Sequence, residues 1–137
     1  MLMDHNNHHR DRRRDRSLGY WLSLILAAFS LSAYAANEVF LKLRFRSMIL
    51  HCHLNDFLAT VLLLAVTYLL MIIFAPLPVW RSSWVFAAVT AFAAIYWEYV
   101  APLYLKSVSD PLDLIAYGLG FVFFIFVSHK VRHHVTD

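Results

Sequence analysis

The sequence is poor in charged residues and contains a single cysteine, and both shortages exclude common classes of protein. Charged residues make up 15% of the 137 positions and hydrophobic residues 61%, whereas soluble domains average about 25% charged and about 45–50% apolar residues. A soluble domain of this size leaves too much of its chain exposed to hide so much apolar surface. Cys52 alone excludes an intramolecular disulfide and a multi-cysteine zinc framework. The composition therefore indicates an integral membrane protein.

The sequence also lacks the motifs of common enzyme and nucleic-acid-binding classes. It has no serine–histidine–acid pattern, no glycine-rich phosphate loop and no redox motif, and only 3 glycines in all. The net charge of +3 does not point to nucleic acid, because five of the 12 Lys and Arg residues fall within the first 16 positions. We therefore expect no nucleic-acid partner, no cofactor and no metal centre.

Four apolar runs are long enough to cross a bilayer as helices, which takes about 20 residues. Helices are the default for such runs because backbone polar groups cannot stay unpaired in lipid. The sequence predicts an all-α fold, a polytopic transmembrane four-helix bundle over residues 17–128, with spans at 17–37, 57–77, 83–105 and 111–128. Residues 1–16, rich in His and Arg, are predicted to form a solvated cytoplasmic arm, and residues 129–137 a short cytoplasmic tail.

The distribution of Lys and Arg predicts the orientation. With a cytoplasmic N-terminus, eight of these residues lie on the cytoplasmic side and four on the other. The positive-inside rule therefore predicts that both termini are cytoplasmic. An alternative for the first run is a cleaved secretory signal, because it joins a basic segment, an apolar stretch and Ala33-Tyr34-Ala35, which resembles a cleavage site.

Four acidic residues outside the first 16 positions fall near span ends that face the same side of the membrane. Asp56 opens the second span, Glu98 lies in the last third of the third, and Asp110 and Asp113 open the fourth. In the predicted topology all four are non-cytoplasmic. We therefore predict that these carboxylates converge in space.

Helix capping is the structural alternative for three of these acids. Ser109 to Asp113 reads as a helix start, with Asp110 as N-cap, Pro111 as the first helical residue and Asp113 as the third. Asp56 is a similar candidate cap for the second span, because acids near helix N-termini are favoured by the helix dipole.

Glu98 has no such explanation in its own span. It lies near the C-terminal end of a predicted helix, where the dipole disfavours an anion. An intramembrane carboxylate is a site candidate by default. The structural alternative is an ion pair with Arg44 or Arg46 of the first loop.

Histidine, cysteine and acid residues around the start of the second span suggest a metal site. His51, Cys52, His53 and Asp56 have suitable side chains, but zinc needs three or four ligands in a fixed geometry. Consecutive residues rarely all face one ion, so we expect none there. The histidines near both termini can bind metal ions adventitiously.

The spacing of four residues resembles a known family. Glu98, Asp110, Asp113 and Gly120 form the pattern E-x11-D-x2-D-x6-G, which resembles the C-terminal half of VanZ-like membrane proteins. The resemblance covers roughly residues 38–128. It implies a protein of the bacterial cytoplasmic membrane and a link to tolerance of glycopeptide antibiotics such as teicoplanin.

Three functions are compatible with these features. The first is recognition, without catalysis, of an anionic lipid or lipid-linked headgroup, because Lys and Arg hold phosphate oxygens and acids can recruit a bridging divalent ion. The second is a metal-dependent enzyme acting on lipid phosphates. The third is a small transporter or channel subunit that uses Glu98. The candidate ligand-binding residues are Glu98, Asp110, Asp113, Asp56, Arg44 and Arg46.

Overall fold

The computed structural model describes the chain in four pieces, residues 4–41, 53–74, 82–105 and 110–133, and describes side chains within 14–40, 53–74, 82–105 and 110–131. Each piece is a helix, and these described residues contain no strand. The helices, numbered in chain order, are α1 (Asp4–Ala36), α2 (His53–Phe74), α3 (Ser83–Ile95) and α4 (Pro111–His133).

Two helices continue beyond their α-helical part as another type of helix. Asn37–Leu41 extends α1 as a π-helical turn. Tyr96–Val100 extends α3 in the same way and is followed by a single 3₁₀ turn, Ala101–Leu103. π-Helical turns are rare and occur frequently at functional sites. Both of these lie at the same end of the bundle.

All four helices are long and apolar enough to cross a membrane, at Arg14–Phe40, His53–Phe74, Ser83–Leu103 and Pro111–Val131. The predicted all-α fold with four spanning helices is therefore confirmed, and the chain is a multi-pass membrane protein. Large apolar side chains cover the outside of the bundle, as a lipid-facing surface requires. Examples more than half exposed are Trp21, Ile25, Phe29, Phe74, Trp84, Phe92, Leu119, Val122 and Phe126.

The helix ends differ from the predicted spans because helical hydrogen bonds do not stop where apolar side chains stop. α1 begins at Asp4, within the predicted arm of residues 1–16, and α4 runs to His133 rather than ending at 128. The fourth helix is therefore not short. α2 begins at His53, four residues before the predicted start at residue 57.

The core lies around α2, the most buried of the four helices. In its most apolar stretch 39% of the residues are buried, against 22% for the first span and 28% for each of the other two. Tyr68 of α2 meets the rings of Phe86 from α3 and Phe124 from α4 in edge-on contacts, with centroids 5.7 and 6.1 Å away. These three buried rings join three helices at one level of the bundle.

A stripe of small residues packs α1 against α2. Three small residues of α1 are buried, Gly19, Ser23 and Ser30, separated by four and seven residues. A Cβ atom at Gly19 would lie 2.8 Å from the hydroxyl oxygen of Tyr68, so the glycine permits this close approach. The hydroxyl of Ser23 donates to the carbonyl of Gly19, at 2.8 Å, which satisfies it without water.

Two neighbouring glycines of α4 have different surroundings. Gly120 faces α2, where a Cβ atom would lie 2.8 Å from Cβ of Thr60 and 3.0 Å from the carbonyl oxygen of Phe57. A Cβ atom at Gly118 would meet nothing within 4 Å. Gly120 alone of this pair therefore lets two helices approach closely, as small residues do in membranes.

Candidate functional site

Polar side chains gather where α1 and α3 end and where α2 and α4 begin. They surround a cavity of about 440 Å³, which we call the polar pocket. Pockets of this size are within the range of small-molecule sites. The lining residues are Tyr34, Asn55, Asp56, Ala59, Trp97, Glu98, Leu105, Asp113 and Tyr117.

Glu98 is the most buried acid of the pocket, and only 5% of its surface is exposed. Its Oε2 atom accepts a hydrogen bond from the backbone N–H of Asp110, at 3.0 Å. Asp110 immediately precedes α4, so the carboxylate lies at the N-terminus of that helix, where the dipole favours an anion. Glu98 lies near the C-terminal end of its own helix, as predicted, and the start of α4 offsets the unfavourable dipole there. The alternative partners, Arg44 and Arg46, lie outside the described residues.

Asp110 is the N-cap of α4, as predicted. Its Oδ1 atom accepts from the backbone N–H of Leu112 at 3.0 Å, and its carbonyl oxygen accepts from the N–H of Asp113 at 2.9 Å. Pro111 is the first helical residue and has no N–H to satisfy.

Asp113 connects α4 to α2. Its Oδ1 atom lies 2.7 Å from Nδ1 of His53, and both side chains are mostly buried, 16% and 20% exposed. The carboxyl group of Asp113 also interacts with that of Asp56, its neighbour across the pocket. Asp113 is therefore directed at other side chains rather than at the backbone of its own helix.

Asp56 is not a helix cap. α2 begins at His53, which places Asp56 in the first turn of the helix. Its carboxyl group interacts with Asp113 and with the hydroxyl of Tyr117, and it lies within electrostatic range of Glu98. The capping interpretation is wrong because polar residues extend the helix by several positions before the apolar run.

A second polar chain links α1 to α2 next to the pocket. The amide nitrogen of Asn37 donates to Oδ1 of Asn55, and the amide nitrogen of Asn55 donates to Oε1 of Glu38, each at 2.7 Å. Asn37 is fully buried. Buried amides are satisfied by such mutual bonds, which also fix the relative depth of the two helices.

The structure thus brings together Asp56, Glu98, Asp110 and Asp113, the four acids predicted to converge. It adds six residues that are not among the predicted site residues: Glu38, Asn37, Asn55, His53, Tyr34 and Tyr117. The sequence contains a signal for three of these residues. Asn37, Glu38 and Asn55 are polar residues at the end of the first predicted span and just before the second, on the same side of the membrane as the four acids. In the sequence His53 adjoins His51 and Cys52, which lie outside the described residues, and this run of consecutive residues predicts no metal site.

Three side chains have the composition and proximity of metal ligands. Ligand atoms of His53, Asp110 and Asp113 all lie within 4.8 Å of one another, and each residue is partly buried. The sequence predicts no metal site. The described geometry instead gives a set of one imidazole and two carboxylates from two helices.

Charge near the pocket is negative in the part of the chain that the structure describes. Five carboxylates stand there, and the described Lys and Arg residues lie at the other end of the helices, within 10–16 and at 130 and 132. The other five Lys and Arg residues lie outside the described residues: Lys42, Arg44, Arg46, Arg81 and Lys106. A ligand of this pocket meets groups that accept hydrogen bonds or bind cations.

Aromatic residues surround the same end of the bundle. Trp97 and Tyr99 are 53% and 61% exposed, and the hydroxyl groups of Tyr96 and Tyr104 are hydrogen-bonded to each other. Trp and Tyr are enriched at the level of lipid headgroups because their rings are amphipathic. The aromatic residues around the pocket are typical of a membrane–water interface.

Comparison with known proteins adds no assignment: no family model, no curated protein and no solved structure matches the chain. The resemblance to VanZ-like proteins stays a prediction from the spacing of four residues.

Proposed function

We propose that this protein lies in a bacterial cytoplasmic membrane. Its polar pocket binds the headgroup of an anionic lipid or of a lipid-linked precursor. The observation that carries the proposal is the position of the pocket. A polar cavity of about 440 Å³ opens among apolar helices at the level of Trp97 and Tyr99. Lipid headgroups occupy this depth, and acyl chains can follow the exposed apolar faces of the helices.

The lining groups suit a phosphate headgroup that is bound through a bridging divalent ion, and they also suit hydroxyl or amine groups that a headgroup carries besides phosphate. Carboxylates of Asp56 and Glu98 and the amide of Asn55 accept hydrogen bonds from such groups. Phosphate is assigned to Arg44 and Arg46 of the first loop, because guanidinium groups form paired bonds with phosphate oxygens. In this proposal both termini are cytoplasmic and the pocket faces the opposite side of the membrane.

Binding is tested with purified protein in a neutral detergent and Mn²⁺-containing buffer. The probe is a short-chain phosphatidic acid, and the matched zwitterionic probe is phosphatidylcholine with the same chains. We expect saturable binding of phosphatidic acid and at least about tenfold weaker binding of phosphatidylcholine, a difference of about 1.4 kcal/mol. Equal binding of both probes contradicts the proposal.

Variants locate the bound lipid. Asp56→Asn and the double change Arg44→Gln with Arg46→Gln are each expected to weaken binding of phosphatidic acid by about tenfold or more. The control is Asp15→Asn, which removes a carboxylate at the opposite end of α1 and should leave the affinity unchanged. The same affinity in all variants places the lipid outside the pocket and contradicts the proposal.

A metal-dependent hydrolase is the second candidate, and one contact favours it. The carboxyl groups of Asp56 and Asp113 lie close enough to interact electrostatically, and paired carboxylates can divide general acid and general base roles. The same preparation is therefore incubated with radiolabelled polyprenyl phosphate and phospholipid phosphates. Release of label that EDTA abolishes identifies an enzyme, whereas saturable binding without release supports recognition.

A further inference from the structure

We propose that His53, Asp110 and Asp113 bind a divalent transition-metal ion, Zn²⁺ or Mn²⁺, at the edge of the polar pocket. Their ligand atoms lie within 4.8 Å of one another, although His53 comes from α2 and the two aspartates from the start of α4. Two ligands held at about 2.0–2.2 Å from one ion are at most about 4.4 Å apart. The three side chains therefore need only small movements to share an ion.

The donor atoms determine the class of metal. Magnesium and calcium take oxygen ligands, whereas imidazole nitrogen suits zinc and other first-row transition metals, and carboxylate oxygens suit manganese as well as zinc. One imidazole with two carboxylates thus favours Zn²⁺ or Mn²⁺ over Mg²⁺ and Ca²⁺. The presence of His53 distinguishes this group from an ordinary cluster of surface acids.

Hydrogen bonds already hold one of the three ligands in place. Asp110 is fixed through its Oδ1 bond from the Leu112 N–H and through the bond from its own N–H to Glu98. This leaves its other carboxylate oxygen for an ion. Asp113 lies beside His53, 2.7 Å from its Nδ1 atom, and a bound ion would take the place of the proton that these two ligands share. Metal ligands in proteins are oriented by such outer contacts, and here Glu98 provides one.

The ion would adjoin the pocket through Asp113, which belongs both to the ligand set and to the pocket lining. Asp56 interacts with the same carboxylate, so a cation here also offsets the repulsion within this acid pair. Three protein ligands leave further coordination positions open for an incoming oxygen. That this oxygen comes from the lipid phosphate rests on the proposed function, whereas the metal site itself does not.

Metal binding is measured on tag-free, full-length protein in detergent without added lipid. Adventitious binding is reduced by a background in which the histidines near the termini (residues 5, 8, 9, 129, 133 and 134) are replaced by glutamine. Bound Mn²⁺ is read from the loss of the free-ion EPR signal, and Zn²⁺ from competition with a chromophoric chelator. We expect one equivalent of ion in this background.

Three substitutions identify the ligands. His53→Gln, Asp110→Asn and Asp113→Asn are each expected to weaken ion binding by at least about tenfold. Asp110→Asn is the most informative, because asparagine is an equally good N-cap and keeps α4 intact. His51→Gln is the matched control and should bind as the background does. Absence of bound ion in the background, or unchanged affinity in Asp110→Asn, overturns the metal site.

A second measurement separates this inference from the proposed function. Phosphatidic acid binding is compared with and without EDTA in the background protein. Binding that EDTA weakens by about tenfold or more supports a bridging ion. If the metal binds but EDTA leaves lipid binding unchanged, the metal site stands and the bridge is excluded. If the metal binds and no lipid binds, the proposed function fails while the metal site stands.

Discussion

The carboxylate of Glu98 accepts a hydrogen bond from the backbone N–H of Asp110, at 3.0 Å. An acid that ends one membrane helix is thereby placed at the start of the next, where the positive end of the α4 dipole stabilises it. The same contact links the deepest carboxylate of the pocket to the segment that carries Asp113. Glu98 consequently affects both the start of α4 and the shape of the pocket.

Replacement of Glu98 by glutamine should separate binding from stability. The Gln amide oxygen can still accept the bond from Asp110, so the free energy of unfolding should fall by less than about 1 kcal/mol. Binding of phosphatidic acid in Mn²⁺ buffer should weaken by about tenfold or more, since the negative charge is lost. Thermal unfolding and lipid titration, both in detergent, give the two values.

Glu98→Asp provides the complementary change. It keeps the charge but withdraws the carboxylate by one methylene group, so the bond to the Asp110 N–H is lost and binding should weaken as well. Wild-type affinity in both variants would remove Glu98 from the site, and Asp15→Asn serves as the carboxylate control.

The two glycines of α4 form a matched pair for helix packing. Gly120→Ala puts a methyl group about where Thr60 and the Phe57 carbonyl already lie, so α2 and α4 must separate, and we expect a loss of about 1–3 kcal/mol. Gly118→Ala meets open space and should be neutral or slightly stabilising, because alanine favours the helix. Unfolding temperatures of the two variants, measured side by side, check this. Equal effects would show that α2 and α4 do not pack closely at Gly120.

Asn55 should be sensitive to a change that keeps its shape. Asn55→Asp removes the amide that donates to Glu38 and places a second carboxylate against it. The lost bond and the added repulsion should destabilise the protein by about 1–3 kcal/mol. Asn55→Asp with Glu38→Gln restores a donor–acceptor pair and should recover part of the loss. No recovery in the double variant would contradict the contact.

The single cysteine reports the orientation. If both termini are cytoplasmic, Cys52 is on the opposite side of the membrane, and a membrane-impermeant maleimide should label it in intact cells. Cys52→Ser with Thr136→Cys moves the thiol to the C-terminal tail and should be labelled only after the membrane is opened. Alkaline phosphatase fused after Asp137 should be inactive. Labelling with the reverse pattern would invert the topology.

The sequence alone determined the number and approximate position of the membrane spans. Apolar runs of sufficient length must be helices in lipid, because their backbone groups have no water to bond. It also determined that Asp56, Glu98, Asp110 and Asp113 lie at one end of the bundle, since consecutive spans alternate in direction. The N-cap role of Asp110 could be predicted too, because capping is local.

Only the tertiary structure decided which of these groups meet. Hydropathy sets how deep a helix lies, but it does not set how the helix is rotated about its axis or which neighbour it contacts. The packing of Gly120 against Thr60 and of Gly19 against Tyr68, with the ring contact of Phe86 on Tyr68, fixes those rotations. They direct Asp113 at His53 and place Glu98 at the start of α4. The arrangement of the three proposed metal ligands follows from these contacts. His53 is distant in sequence from Asp110 and Asp113, and only the packing of α2 against α4 brings the three ligands within a few ångströms of one another.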